Sequence, residues 1–211
     1  MADSAKKTAE YLLQIKAIKL QPSNPFTWAS GWKSPIYCDN RKTLSFPEVR
    51  SYIRDSFAEL VKELYPDADL IAGVATGAIA HGALVADKLG LPFIYVRSGA
   101  KEHGLGNQIE GWFEAGQKVV VIEDLISTGG SSLGAVRALR EAGSNVMGMV
   151  AIFTYEFKKA SDGFAAENCK LHTLSNYSIL IDTALKTGYI GQSEVETLKK
   201  WRADPSAWGV K

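Results

Sequence analysis

Glu123 and Asp124 stand side by side, after the apolar run Val119-Val120-Val121-Ile122 and before Leu125, Ile126, Ser127, Thr128, Gly129, Gly130, Ser131 and Ser132. Adjacent carboxylates are costly to desolvate unless they accept hydrogen bonds or face a cation, and the vicinal hydroxyls of a sugar supply such bonds. Small hydroxyl and glycine residues let backbone N–H groups approach an anion closely, above all where a helix begins. In this order the segment describes a sugar phosphate site, with acids for the diol and amides and hydroxyls for the phosphate. A Walker-type loop needs a lysine before its hydroxyl residue, and none occurs between Glu123 and Ser132; no G-x-G-x-x-G dinucleotide fingerprint occurs either. The plainer alternative is an ordinary strand-to-helix turn with solvated acids and a serine cap.

A second constellation lies upstream. Arg97, Lys101 and His103 put up to three positive groups on a stretch that Gly99, Gly104 and Gly106 leave flexible, which suits a lid closing over a polyanion. Taken alone, the same residues read better as a solvated basic loop, and the phosphate loop beside them is what favours the lid.

These residues need a scaffold, and the hydrophobic pattern describes one. Apolar runs at 69–75, 92–97, 118–122 and 145–153 alternate with helical patterns, one ending near Gly90 and one running from about Ser131 to Ala142 before Gly143. Unbroken apolar strands between helices indicate a parallel sheet covered on both faces, hence a doubly wound α/β core that binds ligands at the carboxyl ends of its strands. A helix is expected from a Ser4 cap to about Ile18, and an amphipathic one from Pro47, where Val49, Ile53, Phe57, Leu60, Val61 and Leu64 recur at helical spacing. The tail predicts a short strand near Lys170 to Leu174 and helices near Ile179 to Lys186 and Ser193 to Arg202.

The bulk numbers agree with one globular unit. The chain has 211 residues, is 46% hydrophobic and carries a formal net charge of +1, so no global field favours nucleic acid or an anionic membrane. Cys38 and Cys169 show no metal-ligand or disulfide-framework spacing. The charged N-terminus offers no secretion signal, and the uncharged stretch 70–86 falls short of the ~20 apolar residues of a membrane span, so a cytoplasmic protein is expected.

Four apolar residues, two acids, two variable residues and S-T-G-G-S resemble the phosphoribosyl pyrophosphate motif of the type I phosphoribosyltransferases, whose fold is the α/β core above. Three further segments are similar to the orotate-using branch of that family. F-T-W-A-S-G-W-K-S-P-I-Y-C-D-N-R (26–41) looks like its hood, G-V-A-T-G-A-I-A-H-G (73–82) like its pyrophosphate-side loop, and R-S-G-A-K-E-H-G (97–104) like its mobile catalytic loop. The resemblance implies transfer of a phosphoribosyl group from phosphoribosyl pyrophosphate (PRPP) to orotate, with release of pyrophosphate. It implies catalytic roles for Lys101, His103 and Asp124. PRPP would be bound by Arg97, Lys101, His103 and residues 123–131: Glu123, Asp124, Leu125, Ile126, Ser127, Thr128, Gly129, Gly130 and Ser131. Mg2+ would be held through substrate and water near Asp124, with no direct protein ligand. The implied assembly is a homodimer whose lid reaches the neighbouring subunit's site, with hood elements at about 1–45 and in the C-terminal segment around a core of about 46–155. The chain departs from the better-known pattern in having Ala29, Gly77 and Ser98 where basic residues are common, and no arginine near Tyr155. Candidates for holding orotate are therefore Ser127, Lys33 and the backbone around Tyr37 and Cys38. The shared motif alone leaves open a purine-using relative, or a non-catalytic nucleotide sensor or RNA-binding relative.

Overall fold

The computed structural model describes residues 2–28, 31, 33–97 and 108–208; the expected lid residues Lys101 and His103 lie outside them. The chain opens with α1 (Ala2–Gln14), followed by β1 (Ile18–Leu20), β2 (Phe26–Thr27), β3 (Lys33–Ser34) and β4 (Ile36–Cys38). A 3-10 helix (Asn40–Ser45) leads into α2 (Pro47–Leu64), β5 (Leu70–Val74), α3 (Ile79–Leu89), β6 (Phe93–Val96) and β7 (Ile109–Glu110). Then come β8 (Lys118–Ile126), α4 (Gly130–Glu141), β9 (Asn145–Thr154), α5 (Lys158–Ala166), β10 (Leu171–Asn176), α6 (Tyr177–Lys186) and α7 (Gln192–Ala203).

The central sheet has the order β10-β9-β8-β5-β6-β7, parallel except for the short edge strand β7. Successive side chains of a strand face opposite ways. Ile71, Val120, Ile122, Val150 and Ile152 share one core with Leu12 of α1, Ile53 of α2, Val85 of α3 and Leu180 of α6. Leu70, Ala72, Val121, Met149 and Ala151 share the other with Val136 of α4 and Phe164 of α5. The doubly wound α/β class expected from the sequence is the class observed. Among the described residues no helix is long and apolar enough to cross a membrane.

Three local expectations change. α1 stops at Gln14 rather than Ile18, because Lys16 turns the chain at φ 55° and Ile18 pairs with Cys38 instead. Ser4 lies within the first turn of α1 and is not its cap. β8 does not end at Ile122: the long partner β9 carries its ladder on through Glu123↔Ala151, Leu125↔Phe153 and Ile126↔Thr154. The acidic pair therefore sits within the strand rather than beyond it.

Candidate active site at the carboxyl ends of two strands

β5 and β8 lie side by side, and the chain leaves them in opposite directions, through α3 to β6 and through α4 to β9. Such a reversal opens a crevice at the strand ends. The register shows how. β5 pairs with β8 only as far as Gly73↔Ile122, whereas β8 runs on against β9 to Ile126, so past Ile122 one edge of β8 faces open space. A cavity of about 490 Å³ occupies it, lined by Val74 at the end of β5 and residues 75–77 after it, by Glu123, Asp124, Leu125 and residues 127–132 of the β8-α4 passage, and by Cys38, Asp39 and Arg41 from the N-terminal segment.

Strand alternation gives the two acids different surroundings. Glu123 is 5% exposed; its Oε1 accepts from the Asp124 amide at 2.8 Å and its Oε2 from the Ser132 hydroxyl at 2.9 Å. Burial, reinforced by the Asp124 charge, pushes the Glu123 carboxyl well above the usual carboxylate range. Asp124 is half-buried, and its carboxylate lies so close over Gly77 that a Cβ there would collide with it. Its backbone carbonyl accepts from Asn40 Nδ2 at 2.6 Å, which ties the 3-10 helix to β8.

The turn after β8 is shaped for an anion. Gly129 takes φ 82°, a left-handed conformation that favours glycine, and α4 starts after it with no side chain capping its first amides. Uncapped amides at a helix start carry partial positive charge and lack intrahelical partners. Nearby, Thr43 and His81 join the 3-10 helix to α3. Thr43 Oγ1 donates to Asn40 O at 2.6 Å and lies 3.2 Å from His81 Nε2, so the imidazole is assigned its proton on Nε2. Burial lowers the His81 pKa, against a smaller opposing pull from Asp124.

A second cavity of about 320 Å³ adjoins the first and shares Cys38, Leu125 and Ser127 with it; Thr27, Trp28, Tyr37 and Tyr155 complete its lining. Its walls are aromatic and backed from behind. The Trp28 and Tyr155 rings are 5.5 Å apart and each lies 5.6 Å from the fully buried Trp201 of α7. Trp28 Nε1 donates to Ile36 O at 3.2 Å, and Tyr155 stacks on Phe157 at 5.4 Å. Burial pushes the Tyr155 hydroxyl and the Cys38 thiol well above their ordinary values, so both stay protonated.

The fold brings Glu123, Asp124, Leu125, Ser127, Thr128, Gly129, Gly130 and Ser131 to the polar cavity, and Tyr37, Cys38 and Ser127 to the aromatic one. Other candidates lie elsewhere. The Ile126 side chain is buried in the core, and its carbonyl accepts from Tyr155 N at 3.1 Å. Lys33 lines neither cavity; its Nζ donates to Thr27 Oγ1 at 2.8 Å across the β2-β3 pair. Arg97 also lines neither and places Nη1 3.6 Å from Glu110 Oε1. Residue-level reading passed over Asp39, Arg41, Asn40, Trp28 and Trp201. The D-x-R of the hood segment was the available signal for the first two, whereas nothing local shows that Trp201 would reach Trp28.

Comparison with known proteins agrees with this geometry. The phosphoribosyl transferase domain matches residues 46–187. A Porphyromonas gingivalis protein named orotate phosphoribosyltransferase is 57% identical over 210 residues, covering 100% of both chains. Its namesake from Listeria innocua is 58% identical, covering 97% of this chain and 98% of its own. The crystal structure of orotate phosphoribosyltransferase from Aeropyrum pernix superposes with a TM-score of 0.75 at 27% identity, over 87% of this chain and 99% of that one. Full-length identity at this level, together with the matching domain, makes the chain a member of the orotate phosphoribosyltransferases, pentosyltransferase enzymes of the phosphoribosyl transferase family.

Proposed function

We propose that the two adjoining cavities divide the reaction between them, the polar one taking PRPP and the aromatic one orotate. The observation that carries this is their junction at Leu125, Ser127 and Cys38, which would set the sugar C1 beside the base. N1 of orotate forms a bond to C1 as the C1–O bond to pyrophosphate breaks, giving orotidine 5′-monophosphate and pyrophosphate on the way to UMP in the cytoplasm. Residues 127–131 and the first amides of α4 hold the 5′-phosphate. Asp124 accepts from the ribose hydroxyls and, with Glu123 fixed behind it, favours the positive charge that develops on the sugar.

Among the described residues no group of three or more His, Cys, Asp or Glu gathers to hold a metal ion. The cavity-facing Asp124 carboxylate nevertheless suits Mg2+ held through substrate oxygens and water. Bound there, the ion would neutralise the leaving pyrophosphate. Lys101, His103 and Arg97 supply the remaining positive charge from a lid shared across a homodimer, over a hood formed by residues 1–45 and the C-terminal segment. Orotate itself is held by Ser127 and the Tyr37 and Cys38 backbone; Lys33, engaged with Thr27 outside both cavities, could join it only by swinging in.

The test is the ultraviolet loss of orotate on mixing protein, Mg2+ and PRPP, with adenine, guanine and uracil run alongside. Loss confined to orotate is expected; turnover of a purine base instead would overturn the base assignment.

A further inference from the structure

The polar cavity is chemically lopsided. Asp39, Glu123 and Asp124 all line it, yet its proposed occupant is a polyanion. Among the described residues lining either cavity, Arg41 is the sole lysine or arginine. Position 77, across the same cavity, can offer no side-chain cation, because it is glycine and a Cβ there would meet the Asp124 carboxylate.

We infer that Arg41 is a PRPP-binding residue that holds the pyrophosphate group at the C1 end of the cavity, supplying from the N-terminal segment the charge that the loop after β5 lacks. The inference rests on the assignment of PRPP to this cavity. Its geometry is specific. Arg41 Nε donates to Asp39 Oδ1 at 2.7 Å, which fixes the guanidinium plane by one edge and leaves the terminal nitrogens without a hydrogen bond to any described residue. A guanidinium held in this way presents two parallel N–H groups, the arrangement that grips phosphate oxygens. Asp39, drawn below the usual carboxylate range first of all by its hydrogen bond from Arg41, stays ionised and keeps the pair together. The side chain is 60% exposed, so it reaches the cavity without needing to be dug out of a packed core. Arg41 shares the polar cavity with Asp124, and it does not line the aromatic one. That second point selects pyrophosphate over the orotate carboxylate as its ligand. Asp39 is then a positioning residue that acts through Arg41.

Steady-state kinetics on Arg41→Gln, Arg41→Lys and Asp124→Asn, with both substrates varied and pyrophosphate as product inhibitor, test this. In Arg41→Gln, KM for PRPP and the inhibition constant for pyrophosphate should each rise on the order of tenfold or more, the loss of a charge-assisted contact, while KM for orotate stays within about twofold. Arg41→Lys should recover part of the loss, because it restores the charge without the fork. A rise confined to the orotate KM, or unchanged PRPP and pyrophosphate constants, would overturn the role of Arg41. Asp124→Asn separates the two levels of the argument. If it raises the PRPP KM and Arg41→Gln does not, only Arg41 is misassigned; if neither does, the cavity is not the PRPP site and both readings fall.

Discussion

At the scale of single residues, the acidic pair works because its members differ. Glu123 spends both oxygens on protein donors, whereas the Asp124 carboxylate is left toward the cavity. Asp124→Asn keeps the shape and removes the charge, so PRPP affinity should fall on the order of tenfold, read by calorimetry; an unchanged dissociation constant would remove Asp124 from the site. Gly77→Ala is the steric counterpart. Its added methyl must displace the Asp124 carboxylate, so PRPP binding should weaken with little change in melting temperature. The adjacency of these acids, and the small residues after them, were legible in the sequence because chemistry of that kind is written in consecutive positions. The contact of Gly77 with Asp124 was not, since it joins two strand ends across the sheet.

Elements far apart in the chain meet behind the aromatic cavity. α7 is predicted as a helix with no packing partner named; in the structure its Trp201 backs Trp28 and Tyr155 at once. The sequence shows Val195, Leu198 and Trp201 at helical spacing, which tells which face of α7 is buried and not what it covers. Trp201→Ala should cost about 3–5 kcal/mol in denaturant unfolding, the range for deleting a large buried ring. The 3-10 helix, for which the sequence analysis predicts no element, is tied to α3 through Thr43 and His81. Because burial holds the His81 pKa below its ordinary 6.5, the unfolded chain takes up that proton first as the pH falls. The stability from neutral His81 is thus present above about pH 6.5 and is lost on acidification toward its folded value. Unfolding free energies measured from about pH 7.5 down to about pH 5 should decline in the wild type and decline less in His81→Gln. His172, also lowered by burial, retains part of the slope.

The whole molecule is a doubly wound sheet whose strand periodicity announced its class, while its crevice depends on β8 outrunning β5, a matter of register that no local pattern encodes. We propose that basic charge beyond that of Arg41 comes from a lid on a partner subunit. Mixing Lys101→Ala protein with Asp124→Asn protein at PRPP below the wild-type KM should then give more activity than either variant alone, because a mixed dimer keeps one intact site; no gain after subunit exchange would contradict a shared site. The central claim, that two adjoining cavities split the substrates, is tested most directly by measuring KM for PRPP and for orotate in Asp124→Asn and Trp28→Ala side by side. The account expects a crossed result, with the PRPP constant rising in the first and the orotate constant in the second, each by on the order of tenfold. Both variants shifting the same constant, or neither shifting its own, would contradict it.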